Sequence, residues 1–296
     1  MLSRIILFSG VCAVLTAASV PLAGCGSTTT AVSANESVVT AFYPIAYAVE
    51  QIAGQSVDVR NLTPAGVEPH DLELTPGDVR DVDGAALVLY LGEGFMPGLE
   101  TAVEQRGGRS VDLLADQVLS PGRDEDGAKA RDPHVWLDPV RYAAMVRAIG
   151  VALHKRAGAE RLAGRAERLD AVFRQRLASC ARRQIVTSHA AFGYLAARYG
   201  LEQVPLEGLS PEAEPSARDI AGLAGLVETT GATTVFFETL VSPKLAQTVA
   251  REAGVETAVL NPLEGLTGGE VAAGADYFSV MRANLAALGK ALGCRS

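Results

Sequence analysis

Histidine, tryptophan and cysteine are scarce in this chain of 296 residues, which has four histidines, one tryptophan and four cysteines. So few cysteines exclude a small scaffold stapled by many bridges, and a hydrophobic content of 48% can build a core without them. An excess of positive charge is also missing. Lys and Arg number 26 against 34 Asp and Glu, a formal charge of −8, which excludes the basic surface of a nucleic-acid binder. No His-Glu-x-x-His helix of a zinc hydrolase and no Gly-rich phosphate-binding loop is present. After the first 24 residues no apolar run is long enough to span a membrane, and no internal sequence repeat is visible.

What is present begins with an export-type leader. Arg4 supplies a positive charge, Ile5 to Ala23 is almost uninterruptedly apolar, and Leu22-Ala23-Gly24-Cys25 closes the run with small residues. Residues 1–24 are therefore expected to be a lipoprotein signal peptide, with Cys25 carrying the lipid and residues 25–36 forming a disordered tether. Cys12 leaves with that leader. Cys180 and Cys294 remain, as one disulfide or as two buried free thiols.

The rest alternates strand and helix patterns, which implies parallel sheets. Ser37 to Phe42 and Ala85 to Leu91 read as buried strands and Val57 to Leu62 as an alternating one, with helices over Pro44 to Ile52 and after a Thr75 cap. The rhythm returns with strands at Gln184 to Thr187, Thr233 to Phe237 and Val255 to Leu260. Pro139 to Ala181 lies between, as two successive helices interrupted near Gly158. Leu162, Leu169, Val172, Phe173 and Leu177 share helical spacing in the second. The expected organisation is an α/β fold of two lobes, at 37–157 and 182–296, joined by a linking helix at 158–181. The acidic stretch Pro121 to Gly127 reads as a loop.

Three of the four histidines stand where predicted strands and helices meet. His70 follows Pro69 in the loop after a strand, His134 follows Pro133, and His189 follows Thr187-Ser188 at a strand-to-helix junction. In parallel α/β sheets ligands gather beyond the carboxyl ends of the strands, and neutral imidazole is a preferred ligand of zinc and related metals. His154, at a helix end beside Lys155 and Arg156, reads as a solvated residue.

Four stretches, Thr40 to Ile45, Gly66 to Pro76, Asp132 to Pro139 and Thr187 to Phe192, resemble in order and spacing the signatures of the metal-binding receptors of bacterial ABC-type zinc and manganese importers. The resemblance implies a non-enzymatic receptor whose metal lies in the cleft between two lobes, with His70, His134 and His189 as ligands. Histidine rather than a carboxylate at position 189 favours Zn2+ over Mn2+. For the fourth ligand the resemblance points to Asn261, where the family often has aspartate, with Glu264 or water as alternatives and Glu68 as a further candidate. Glu238 and Glu214 read as supporting acids, and Trp136 as packing beside His134. The implied partners are an ABC permease and ATPase, with a monomeric receptor held by its lipid on the outer face of the cytoplasmic membrane. A zinc hydrolase with an open fourth coordination position, or an adhesin that the metal merely stabilises, are the alternatives.

Overall fold

The computed structural model of the protein describes residues 36–123, 128–211 and 217–295. The expected signal peptide, Cys25, the tether up to residue 35, Asp124 to Asp126 and Glu214 lie outside the described residues.

In the first half the order is β1 (Ser37–Thr40), α1 (Tyr43–Ala53), β2 (Asp58–Asn61), α2 (Pro76–Gly84), β3 (Leu87–Tyr90), α3 (Pro97–Gln105) and β4 (Arg109–Asp112). An antiparallel pair, β5 (Pro121–Arg123) and β6 (Lys129–Arg131), takes in the first three residues of the stretch expected to be a loop. Two helices follow, α4 (Pro139–Ala152) and α5 (Arg156–Leu177). The second half runs β7 (Gln184–Thr187), α6 (Gly193–Tyr199), β8 (Glu202–Pro205), α7 (Ala217–Thr230), β9 (Thr234–Phe237), α8 (Lys244–Ala253), β10 (Glu256–Val259), α9 (Gly268–Ala272) and α10 (Tyr277–Ala291).

Both large sheets are parallel, in the orders β2-β1-β3-β4 and β10-β9-β7-β8. The second order, read from its other edge, is the first order over again. The chain therefore builds one topology twice, and each sheet with its helices is a lobe. In each sheet the first strand of the half is central and buried, with Val38 and Val39 in β1 and Ile185 and Val186 in β7 wholly or almost wholly enclosed. Val38 pairs with Val59 on one side and Leu87 on the other. Continuous apolar runs suit such strands, because both faces of a parallel sheet are covered by helices.

The helix α5 is about 33 Å long at 1.5 Å per residue, and it starts and ends earlier than the 158–181 expected. Gly158 lies inside it: a Cβ there would sit 2.7 Å from the Ile52 carbonyl oxygen of α1. The glycine permits close packing and does not break the helix. Leu162, Leu169, Phe173 and Leu177 face the core as the spacing indicated, whereas Val172 is exposed. Beyond α5, Cys180 is bridged to Cys294, which follows α10, across a separation of 114 residues. The main core is continuous across the halves, running from Val38 and Leu87 through Phe173 to Phe278 and Leu288. A smaller cluster of Val186, Val227, Val235 and Val249 seals β7 and β9 against α7 and α8.

Candidate metal centre

Strand ends supply the site. The loop after β2 carries His70, the turn after β7 carries His189, and the loop after β10 carries Glu264. The segment between β6 and α4 carries His134, which opens a 3-10 turn over Val135–Leu137. One nitrogen from each of His70, His134 and His189 and one oxygen of Glu264 lie within 4.8 Å of one another.

Four of their separations are close to those of donors around one small ion. Glu264 Oε1 is 3.1 Å from His134 Nε2, 3.4 Å from His189 Nε2 and 3.5 Å from His70 Nε2. His134 Nε2 and His189 Nε2 are 3.4 Å apart. A tetrahedral zinc with bonds of about 2.05 Å would space its ligands by about 3.3 Å. Two neutral imidazoles that both present Nε2 lone pairs at such a distance repel, and a cation between them removes that repulsion. The accounting of hydrogen bonds points the same way: His70 Nε2 and Glu264 Oε2 are buried without a hydrogen-bond partner. An orphaned buried polar atom costs about 1–3 kcal/mol, and a cation at the centre of the group would satisfy His70 Nε2.

Two of the rings are aimed from behind by carboxylates. His134 Nδ1 is 2.8 Å from Asp132 Oδ1, and His189 Nδ1 is 2.7 Å from Glu238 Oε1. Each acid accepts the Nδ1 proton, which leaves the Nε2 lone pair directed into the cluster, an arrangement found behind most metal-binding histidines. His134, His189 and Glu264 are fully enclosed, and His70 keeps a side-chain exposure of 9%. An open cleft of about 1830 Å³ reaches His70 past Phe95, Pro133, Ala190 and Leu206.

The charges follow from this crowding. For His189, burial pushes the pKa down, but Glu238 and Glu264 outweigh it and hold the ring well above the ordinary imidazole value. His134 is raised in the same way, with Asp132 and Glu264 outweighing burial. His70 is lowered, chiefly by burial. Burial raises Glu264, yet the three rings around it carry it well below the usual carboxylate range. Glu68 is pushed up to about 9, first by burial and then by the Glu264 charge. It accepts a hydrogen bond from the His70 backbone N–H at 3.3 Å and stands outside the group of four.

The sequence-based ranking of the fourth position needs correcting. Asn261 is buried, but its side chain is spent elsewhere: Nδ2 donates to Thr239 and Glu270, and Oδ1 accepts from the Leu263 backbone. Glu264, the alternative, is the residue among the histidines. Trp136 packs beside His134 with ring centroids 5.1 Å apart. Its Nε1 also donates to the Pro262 carbonyl at 2.7 Å, tying the Glu264 loop down. Sequence reasoning gave Asp132 no role, although the Asp-x-His spacing that lets a carboxylate bond both the backbone and the ring of His134 was there to be read. His154 is exposed in the turn between α4 and α5, far along the chain from any of these loops.

Comparison with known proteins adds to this geometry. Residues 38–291 match the family described as zinc-uptake complex component A, periplasmic. The zinc-binding protein AdcA of Streptococcus pyogenes serotype M6 is 36% identical over 282 residues, covering 85% of this chain and 55% of that protein. The chain thus spans about half the length of the streptococcal relatives it matches. The high-affinity zinc uptake system protein ZnuA of Bacillus subtilis is 34% identical over 302 residues, covering 93% of this chain and 95% of the other. Among solved structures, the Zn(II)-bound ZnuA-like domain of Streptococcus pneumoniae AdcA superposes with a TM-score of 0.74 at 37% identity, covering 87% of this chain and 99% of that one.

Proposed function

We infer, from the premise that this chain belongs to the family of periplasmic zinc-uptake complex component A, that it is a non-enzymatic receptor that captures Zn2+ outside the cytoplasm for an ABC importer. The ion is its cargo. His70, His134 and His189 supply three neutral nitrogen donors and Glu264 one carboxylate oxygen, a set that suits zinc better than manganese, which prefers oxygen. The observation that carries this reading is the convergence of three ring nitrogens and one carboxylate oxygen within 4.8 Å of one another, with Glu264 Oε1 3.1 to 3.5 Å from all three rings, in a nearly closed pocket. A fourth protein donor also supports a receptor over a hydrolase, whose zinc keeps one position open for water.

Delivery needs a permease and an ATPase as partners, since among the described residues no helix is long and apolar enough to cross a membrane. All four donors come from one chain, which supports a monomeric receptor. Processing before Cys25, lipid attachment there and residence on the outer face of the cytoplasmic membrane complete the proposal, supported by the leader pattern of residues 1–24. The lobes are assigned to 37–157 and 182–296, with the linking helix between them.

Titration of the demetallated mature chain with zinc tests the central claim. One equivalent should bind tightly, and replacing His70, His134, His189 or Glu264 with alanine should weaken binding by orders of magnitude, while His154→Ala leaves it unchanged. Absence of saturable binding, or an equal loss at His154, rejects the reading.

A further inference from the structure

Glu264 lies three residues beyond Asn261, and the turn between them is one that a leucine should resist. Leu263 has φ of 59°, in the left-handed region where a side chain with a Cβ is disfavoured. Something must hold it there, and Asn261 is placed to do so. Its Oδ1 accepts the Leu263 backbone N–H at 2.7 Å, closing a local side-chain turn. Its Nδ2 uses both hydrogens, donating to Thr239 Oγ1 and Glu270 Oε1 at 3.0 Å each. Its backbone is gripped on both sides by Asn284 of α10, which accepts from Asn261 N at 2.9 Å and donates to Asn261 O at 2.7 Å.

This wiring specifies the residue type. The side chain must accept toward Leu263 and donate toward the Glu270 carboxylate, and an amide does both where an aspartate would meet Glu270 with like charge. Glu270 is itself fixed, because its Oε2 accepts from the backbone and hydroxyl of Thr267 in a capping box at the start of α9. The segment from 261 to 270 is thus closed at both ends around Glu264. A ligand oxygen that must stand near three ring nitrogens at once tolerates displacement of only about half an ångström.

We propose that Asn261 is a positioning residue for the metal site: through Leu263 and Glu270 it sets the carboxylate of Glu264 among the histidines without touching the metal. The proposal rests on the reading of His70, His134, His189 and Glu264 as ligands.

The experiment measures zinc dissociation constants for Asn261→Asp, Glu270→Gln and the double variant, each also combined with Glu264→Ala, with melting temperatures of the metal-free proteins and visible absorption of the Co2+ forms. Asn261→Asp should weaken zinc about 10- to 100-fold, the loss usual for partners that orient a ligand, and alter the Co2+ spectrum. Glu270→Gln should do likewise, because its amide then faces that of Asn261; it carries the test if Asn261→Asp does not fold. The double variant should recover most of the affinity, since the amide introduced at position 270 donates to the carboxylate introduced at position 261 while its oxygen still caps Thr267. In the Glu264→Ala background none of these changes should shift affinity by more than about twofold, the non-additivity of groups acting through one another. Tighter binding by Asn261→Asp in both backgrounds would make position 261 a ligand and overturn the proposal. So would an equal loss with and without Glu264, which would mean a general effect on folding. Unchanged zinc affinity in Glu264→Ala alone would instead reject the ligand set and take this proposal with it.

Discussion

His134 and His189 show how much of the proposed metal site is shaped by residues outside the four donors. Each ring is held by a carboxylate on its far nitrogen. Asp132→Asn and Glu238→Gln should each weaken zinc about 10- to 100-fold with little change in overall shape, checked by competition with a chromogenic chelator. The same carboxylates set the pH response. A raised imidazole holds its proton to higher pH, and zinc needs the deprotonated ring, so binding must expel protons from His134 and His189. Affinity should therefore still climb with pH above the ordinary imidazole value of 6.5, with proton release visible by calorimetry in buffers of different ionisation enthalpy. A flat profile above neutrality would contradict it. At this scale the sequence singled out the three histidines that the structure brings together with Glu264, because each follows a strand end or a proline. It ranked Asn261 over Glu264 because closeness to a strand end does not tell which way the next turn faces. That depends on the left-handed Leu263 and on Asn284 in a helix 23 residues away.

Among the elements, the strands were the easiest to read, since buried parallel strands are short continuous apolar runs. β8 was not read as a strand: it ends in Pro205, which a central strand would not accept, and it pairs only with β7 at the sheet edge, where proline is tolerated. Gly158 was misread as a break because helix propensity alone scores glycine as costly. The structure turns that into a prediction with a sign. Gly158→Ala should gain up to about 1 kcal/mol from propensity, but its Cβ would press on the Ile52 backbone carbonyl, 2.7 Å away and unable to swing aside. Overpacking of this kind costs about 1–3 kcal/mol, so the variant should be less stable in chemical denaturation. A more stable variant would show that α1 and α5 separate easily.

For the molecule as a whole, two copies of one strand order are held together by α5, by a shared core and by a disulfide across 114 residues. Closing so long a loop lowers the entropy of the unfolded chain by an amount worth about 4–5 kcal/mol. Replacing Cys180 and Cys294 together with serine should thus lower the denaturation midpoint markedly while leaving His70, His134, His189 and Glu264 in place. Saturating zinc should restore part of the loss, about 2.7 kcal/mol at a hundredfold excess over its dissociation constant. That the lobes exist was legible from the alternating pattern. Their common core was not, because which buried faces meet is a long-range property that local periodicity does not encode.

The four proposed ligands are divided by α5, with His70 and His134 before it and His189 and Glu264 after. This sets an order of events for a newly made chain. An emerging polypeptide that lacks its final third has no Glu264, and even a complete chain has no site until the turn after β10 has docked against α10. On the proposed ligand set, a chain ending before Glu264 offers fewer donors and should hold zinc far more weakly than the full chain. Full loading would then follow the docking of the turn after β10, and occupancy would report that the two halves have come together around the site.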